Sequence, residues 1–410
     1  MRQASPPLTV LAAEAGAPPP VEVLERLHHG EGLLALAAPP DLPALNQALQ
    51  GWAPGGGPRG PAVVLGSGGS GGRRRWCAQP LAHLEASALA TGTWLREVGL
   101  DPSAALVVNP LPWHHVSGLM PWLRARAWGA RHVWLAPAQL RTPRALAAAL
   151  PPPRHGGALL SLVPTQLHRL LADPAGVEWL REFALIWIGG APLGALEAAR
   201  SREAGLRLAP CYGSTETGSM VTALAPEAFL AGQGGCGAAL PHARLRIDPA
   251  TGAVEVQATS LSPGHLEGGR LCPLAMDGGW WRGGDRGRLE GGRLTVIGRL
   301  DGAVQSGGET VFPERVEEAL LALAAGRGLP LAALLLLGRP DPEWGERLVA
   351  LVRCREGADG SQLIHALREV AAGLPPAQRP REWRLCPELE ANAMGKWERE
   401  RWRRWLAGQS

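Results

Sequence analysis

Paired cysteines are what this 410-residue chain most plainly lacks: its six cysteines (Cys77, Cys211, Cys236, Cys272, Cys354, Cys386) are scattered, with no Cys-x-x-Cys among them. That argues against a disulfide framework and a zinc site, and fits a reducing compartment. Charge of one sign is missing too. The 41 Lys and Arg against 37 Asp and Glu leave a formal net charge of +4, too small to imply a nucleic-acid partner. No apolar run reaches the roughly 20 residues a membrane span needs, and the longest, Leu331 to Leu337, reads as a buried strand. No basic segment followed by an apolar core stands at the N-terminus, so no secretory signal is read and the cytoplasm is the expected location. Tyr and Phe are scarce beside 16 Trp, which fits coding bias and carries no functional reading.

What is present suits a folded enzyme. Hydrophobic residues make up 46% of the chain, and its length allows a large core and more than one domain. Near the middle, the apolar run Ala184 to Ile188 ends in Gly189-Gly190-Ala191-Pro192-Leu193. A helical span, Gly194 to Ala204, and a second strand, Leu206 to Ala209, follow. Tyr212-Gly213-Ser214-Thr215-Glu216 leaves the end of that strand. Two strands joined by a helix form a right-handed parallel unit, and ligands collect at the carboxyl ends of such strands. Tyr212 offers a flat face to a base, Gly213 lets backbone approach, Ser214 and Thr215 bring hydroxyls to phosphate, and Glu216 suits Mg²⁺. A surface turn would have a similar composition.

Ala62 to Leu65 reads as a buried strand, and the loop Gly66-Ser67-Gly68-Gly69-Ser70-Gly71-Gly72-Arg73-Arg74-Arg75 follows it. Its exposed N–H groups and arginines suit an anion. It contains Gly66-x-Gly68-x-x-Gly71, but no helix start or placed acidic residue follows. No Gly-Lys-Ser/Thr ends it, and a flexible basic linker is the remaining reading. Later, His114-His115-Val116-Ser117-Gly118 leads into an amphipathic span carrying Arg124. The adjacent histidines point apart and lack a spaced carboxylate, so a pocket wall and a structural histidine are weighed above a metal site. Alternating β and α signals to about Leu171, with Thr165 capping a helix, predict a mainly parallel sheet. From Gly235 to Glu290 short alternating runs predict antiparallel β structure. Asp285, flanked by glycines, could hold ribose hydroxyls or could be a turn residue. Beyond Gly298 to Gly302 a compact α+β unit of about a hundred residues is expected. It closes with Asn392-Ala393-Met394-Gly395-Lys396 and a basic, Trp-bearing helix.

Seven of these stretches, in order from about Ala62 to the C-terminus, resemble the AMP-forming acyl- and aryl-CoA synthetases. These belong to the adenylating superfamily that includes luciferase and peptide-synthetase adenylation domains. The stretches are the glycine loop at 66–71, Gly189 to Leu193, Tyr212 to Glu216, Gly284-Asp285, Gly298 to Asp301, Ser306-Gly307-Gly308-Glu309 and Gly395-Lys396. Leu111-Pro112, His115 to Leu119 with Arg124, and Asn392-Ala393-x-Gly395-Lys396 are most similar to the 2-succinylbenzoate–CoA ligases of menaquinone and phylloquinone synthesis.

The resemblance implies an α/β fold. A large N-terminal domain (1–298) of mainly parallel sheets with a β-barrel-like part would be joined by a hinge (299–302, at Asp301) to a small, mobile α+β domain (303–410). It implies ATP, Mg²⁺ and CoA, a carboxylic acid made into acyl-AMP, and then a thioester. Ser67, Gly68, Gly69, Ser70, Gly71 and Arg74 would hold the outer phosphates, Thr215 the α-phosphate and Glu216 the metal. Tyr212, Gly213, Gly190 and Ala191 would hold adenine, and Asp285 and Arg299 ribose. Lys396 would bridge the carboxylate and the α-phosphate, while His115, Ser117, Arg124, Gly189 and Ser214 would line the acid pocket. Two departures stand out: Gly69 and Arg73-Arg74 replace the usual Thr and Pro-Lys, and the segment before the loop is short. Arg and Lys are not interchangeable at a tight site, so turnover could be slow. Two alternatives therefore remain: a ligase for another aromatic or fatty acid, and a nucleotide-binding protein without turnover. The expected partners are small molecules, without nucleic acid or stable membrane insertion. Whether the chain is a homodimer stays open.

Overall fold

Three sheets carry the chain. The computed structural model describes residues 8–14, 16–29, 32–52, 60–68, 74–150, 157–392 and 395–408. The largest sheet has 12 strands and is built in two halves. In its parallel half, Leu208–Ser214, Phe183–Ile188, Ala158–Leu162, Leu106–Asn109 and Arg131–Trp134 lie side by side. Helices cover both faces of this half, which explains why its strands are apolar without alternation. Ile186 and Ile188 pack on one face with Leu160, Trp179 and Phe183, while Leu185 and Trp187 pack on the other with Val107 and Leu159. Most of the antiparallel signals of 235–290 are realised in the second half, which continues from Leu208–Ser214 through Ser219–Ala223 to Arg293–Arg299 and Trp280–Glu290, while Gly264–Glu267 and Arg270–Pro273 join another sheet. This is the part expected to be barrel-like.

A six-stranded sheet holds the N-terminal residues. Leu8–Ala12, Leu33–Ala37 and Ala62–Ser67 run parallel, and then Arg75–Pro80 returns antiparallel to Ala62–Ser67 with Ser67 opposite Arg75. The glycine-rich segment therefore connects two antiparallel strands and does not lead into a helix. Gly264–Glu267, distant in sequence, adds to Arg75–Pro80 and puts His265 opposite Cys77.

The last sheet has five strands, with Leu331–Asp341 and Gly345–Cys354 as a long antiparallel pair. The helices Pro313–Gly326 and Gly360–Ala371 pack on one face of it. The C-terminal helix Arg399–Ala407 covers the other, burying Trp402 and Leu406 against Leu335, Leu337, Val349 and Leu351. That helix begins three residues after Lys396, which is bonded to Asn392 in both directions. Lys396 N donates to Asn392 Oδ1 (3.0 Å), and Asn392 N donates to Lys396 O (2.9 Å). Among the described residues no helix is long and apolar enough to cross a membrane, and all six cysteines are free.

Candidate active site

Strand Leu208–Ser214 carries Tyr212, Gly213 and Ser214 inside the sheet, paired antiparallel with Ser219–Ala223. Only Thr215 to Gly218 form the turn, so the strand runs farther than the sequence reading had it. Gly213 has to be glycine, since a Cβ there would lie 2.0 Å from Ser219 O. The turn is tied locally: Ser214 N donates to Thr217 Oγ1 (2.8 Å), and Thr217 Oγ1 donates to Ser219 O (2.6 Å). It is also held from below. Gln79 Nε2 donates to Thr215 O (2.5 Å) and Glu216 O (3.3 Å), and Ser262 N donates to Glu216 O (2.7 Å).

Glu216 is buried, and burial alone would raise its pKa. The imidazole of His265, with Nε2 3.2 Å from Oε1, and the adjacent Ser67 hydroxyl outweigh this and hold it at about 2. It is therefore an ionised carboxylate at neutral pH. Ser67 Oγ is itself buried without a well-formed hydrogen bond, at the edge of the glycine-rich loop. Among the described residues no three His, Cys, Asp or Glu side chains could hold a metal by themselves. A single ionised carboxylate beside the Ser67 hydroxyl fits Mg²⁺, which takes one or two carboxylates and fills its shell with phosphate oxygens and water.

Asp285 lies in the strand Trp280–Glu290 rather than in a turn. Its Oδ2 accepts from Tyr212 (2.8 Å) and its Oδ1 from Arg299 (3.5 Å). Arg299 also donates twice to Asp301, at 3.1 and 2.6 Å. Tyr212, Asp285, Arg299 and Asp301 thus form one connected polar chain.

Lys396 comes to the same place from the C-terminal turn. A Cβ at Gly190 would sit 4.0 Å from Lys396 Cε, so the lysine stem lies over the Gly189-Gly190 turn. Lys396 as a whole residue is exposed, yet protein atoms surround its side chain closely enough to shift its titration. Burial lowers its pKa, opposed by Asp285 and then Glu216, and reinforced by Arg299 and Arg74. Gly395 has φ +70°, and a Cβ there would meet Thr165 Oγ1 at 2.6 Å, so the turn rests directly on the helix Pro164–Leu171. The cap of that helix is not Thr165, as the sequence suggested. Its first turn is closed by Gln166, whose Oε1 accepts from Val163 N (3.1 Å).

Arg74 approaches from the opposite wall, its Nε held 2.9 Å from Asp41. His115, half-buried at the start of the helix Val116–Trp128, has its pKa lowered to about 3 by burial and by the charges of Arg74 and Lys396. Ser117 follows it in the first helical turn, half-buried. Arg124, farther along, is buried, with Nη2 2.9 Å from Ser219 Oγ and its guanidinium 5.3 Å over the Trp187 ring. Burial lowers it to about 10, which leaves it cationic at neutral pH. Arg124 Nε, Trp187 Nε1 and both ring nitrogens of His242 are buried without hydrogen-bond partners. Ser219, the acceptor of the Arg124 bond, has φ 119°, a conformation that costs a non-glycine residue about 1–3 kcal/mol. Cys211 Sγ, on the neighbouring strand, would lie 3.0 Å from a Cβ at Gly189.

Glu216, Asp285, Arg299, Arg74, His115, Lys396 and Gly190 therefore converge, with Thr215 and Ala191 on the turns that carry them. Gly69, Ser70, Gly71 and Arg73 lie outside the described residues; Gly68, next to them, is exposed. Sequence reasoning missed His265, Gln79 and Asp41, and read Thr165 only as a helix cap. Each meets the site through tertiary pairing.

A cleft at parallel strand ends, with a lysine delivered from a separate C-terminal sheet, defines a class of nucleotide-dependent enzyme. The chain belongs to the AMP-binding enzyme family, whose model matches residues 7–266. It is 34% identical to the 2-succinylbenzoate–CoA ligase of Salmonella typhimurium over 60% of this chain and 50% of that protein. It is 31% identical to a probable 2-succinylbenzoate–CoA ligase of Mycobacterium tuberculosis over 85% of both. A solved structure of an Escherichia coli MenE variant with bound OSB-AMS superposes with a TM-score of 0.66 at 27% identity, covering 85% of this chain and 70% of that one. The chain thus spans about half the length of the Salmonella relative.

Proposed function

We propose that the chain is an ATP-dependent acid–thiol ligase that converts 2-succinylbenzoate to its CoA thioester through an acyl-adenylate. The observation that carries this reading is Lys396 lying over the Gly189-Gly190 turn, within the electrostatic reach of Glu216, Asp285, Arg299 and Arg74. In the first step a carboxylate oxygen attacks the α-phosphorus and the bond to pyrophosphate breaks. In the second, the CoA sulfur attacks the acyl carbon and AMP leaves. Such chemistry depends on positioning and charge neutralisation. Mg²⁺, when bound, neutralises phosphate charge, and Glu216 with the triphosphate would hold it. Lys396 would bridge the carboxylate and the α-phosphate, with Thr215 donating to that phosphate and Arg74, Ser67 and the glycine loop meeting the outer ones. Tyr212, Gly190 and Ala191 would flank adenine, and Asp285 and Arg299 the ribose.

For the acid, His115, Ser117, Gly189 and Ser214 would form the near wall and Arg124 the far end. The unpaired nitrogens of Arg124, Trp187 and His242, beside a strained Ser219, support an anionic or hydrogen-bonding substrate end there. A second carboxylate is such an end. Residues 1–298 would bind ATP and acid, 299–302 would hinge at Asp301, and 303–410 would swing Lys396 away for the thiol step.

Pyrophosphate release with ATP, Mg²⁺, CoA and a panel of acids tests this directly. Release is expected with 2-succinylbenzoate above monocarboxylic aromatic and fatty acids. Preference for one of those changes the substrate, and no release with any acid leaves a nucleotide-binding protein.

A further inference from the structure

Glu216 is gripped from beneath by side chains of the N-terminal sheet, which also hold Thr215 O in the same turn through Gln79. Its backbone oxygen accepts from Gln79 Nε2 (3.3 Å) and from Ser262 N (2.7 Å), and its carboxylate Oε1 lies 3.2 Å from His265 Nε2. Gln79 is on Arg75–Pro80 and His265 on Gly264–Glu267, neighbouring strands of the N-terminal sheet. Both side chains of the imidazole–carboxylate pair are largely enclosed, at 17% and 12% exposure, so solvent screens their contact little. An ionised carboxylate only accepts, so Nε2 must carry the proton in this bond.

We propose that His265 is a positioning residue that fixes the Glu216 carboxylate for the divalent cation of the bound nucleotide. This rests on the reading of Glu216 as the metal-binding carboxylate. The bond commits Oε1 to the imidazole and would leave the other oxygen for the cation. That selects the single-oxygen contact suited to a small, octahedral ion such as Mg²⁺ over the two-oxygen grip common for Ca²⁺. A hydrogen-bonding partner behind a ligand fixes its orientation, and losing it typically costs about ten-fold to a hundred-fold in metal affinity. The residue comes from the N-terminal sheet, so that sheet sets how well the central turn meets the metal.

The test is calorimetric binding of ATP without acid or CoA, in excess Mg²⁺ and in EDTA. The ratio of the two Kd values measures how strongly the cation supports the nucleotide. His265→Ala should reduce that ratio about ten-fold while leaving Kd in EDTA within about two-fold. His265→Gln, which keeps an N–H donor, should recover most of the loss. In a Glu216→Gln background His265→Ala should change the ratio no further, because the two act as one unit. Thermal melting in EDTA separates this from a folding defect. If His265→Ala lowers Tm and weakens ATP in EDTA but leaves the ratio intact, the residue is structural and the proposal is wrong. If Glu216→Gln itself leaves the ratio intact, the metal reading of Glu216 has failed. If Glu216→Gln lowers it and His265→Ala does not, only the present proposal has failed.

Discussion

The rings of His114 and His115 stand 4.3 Å apart. Burial lowers both, to about 4 and about 3, and lowers His132 and His242 to about 4. Their folded pKa values lie below the ordinary value of 6.5, so between pH 6.5 and 4 the unfolded chain binds protons that the folded chain refuses. Stability from these groups is therefore complete above pH 6.5 and is lost as the pH falls toward the folded values. Each fully shielded histidine would contribute a slope of about 1.4 kcal/mol per pH unit, and their half-buried setting reduces this. We expect a loss of about 3 kcal/mol between pH 7.5 and 5, read from Tm, with the slope roughly halved in His132→Gln/His242→Gln. A flat Tm across that range would rule out neutral burial of these rings. At this scale the sequence was legible where a motif is contiguous, as in Tyr212 to Glu216. It was silent for Gln79 and His265, whose roles depend on the register between two strands nearly 190 residues apart.

Among the elements, the C-terminal helix shows what composition can and cannot convey. Its tryptophans suit packing on a sheet face, and Trp402 is 1% exposed. Nothing in its run of charges showed that Arg399 would be the anchor. Arg399 Nη2 reaches both oxygens of Glu317 (3.1 Å each) and Glu314 Oε1 (3.2 Å), while Nη1 donates to Leu336 O (2.6 Å). Glu317 also accepts from Leu336 N at 2.7 Å. Burial raises the Glu317 pKa, and the Arg399 charge opposes it. Removing one partner of such a pair strands a buried charge, which costs more than removing both. We expect Arg399→Met to destabilise the protein by about 3 kcal/mol in denaturant unfolding. Arg399→Met/Glu317→Met should cost less than the single variant. A double variant less stable than Arg399→Met would mean that the pair contributes net stability of its own.

Over the whole molecule, motif order was readable and convergence was not. The stretches that meet in the cleft span Ser67 to Lys396, and no spacing rule says that the last would fold onto the helix after Val163. Contact between the turn and that helix is tight: Gly395 lies against Thr165 so closely that a methyl group would collide with Oγ1 at 2.6 Å. Thr165 is otherwise exposed on the second residue of its helix, so a larger side chain there should leave the large domain folded and obstruct only the docked turn. In the proposed cycle docking serves adenylation, and undocking serves the thiol step. We therefore expect Thr165→Arg to slow acid-dependent pyrophosphate exchange about a hundred-fold, the scale of loss when a reacting group is displaced by about 1 Å. Thioester formation from supplied acyl-adenylate should change by less than about three-fold, since that step does not call on the Lys396 ammonium. Lys396→Ala should reproduce the same split, because it removes the charge that Thr165→Arg only displaces. Equal loss of both steps in the two variants would mean that the lysine turn is needed throughout, and the cleft would then have to work without a swing.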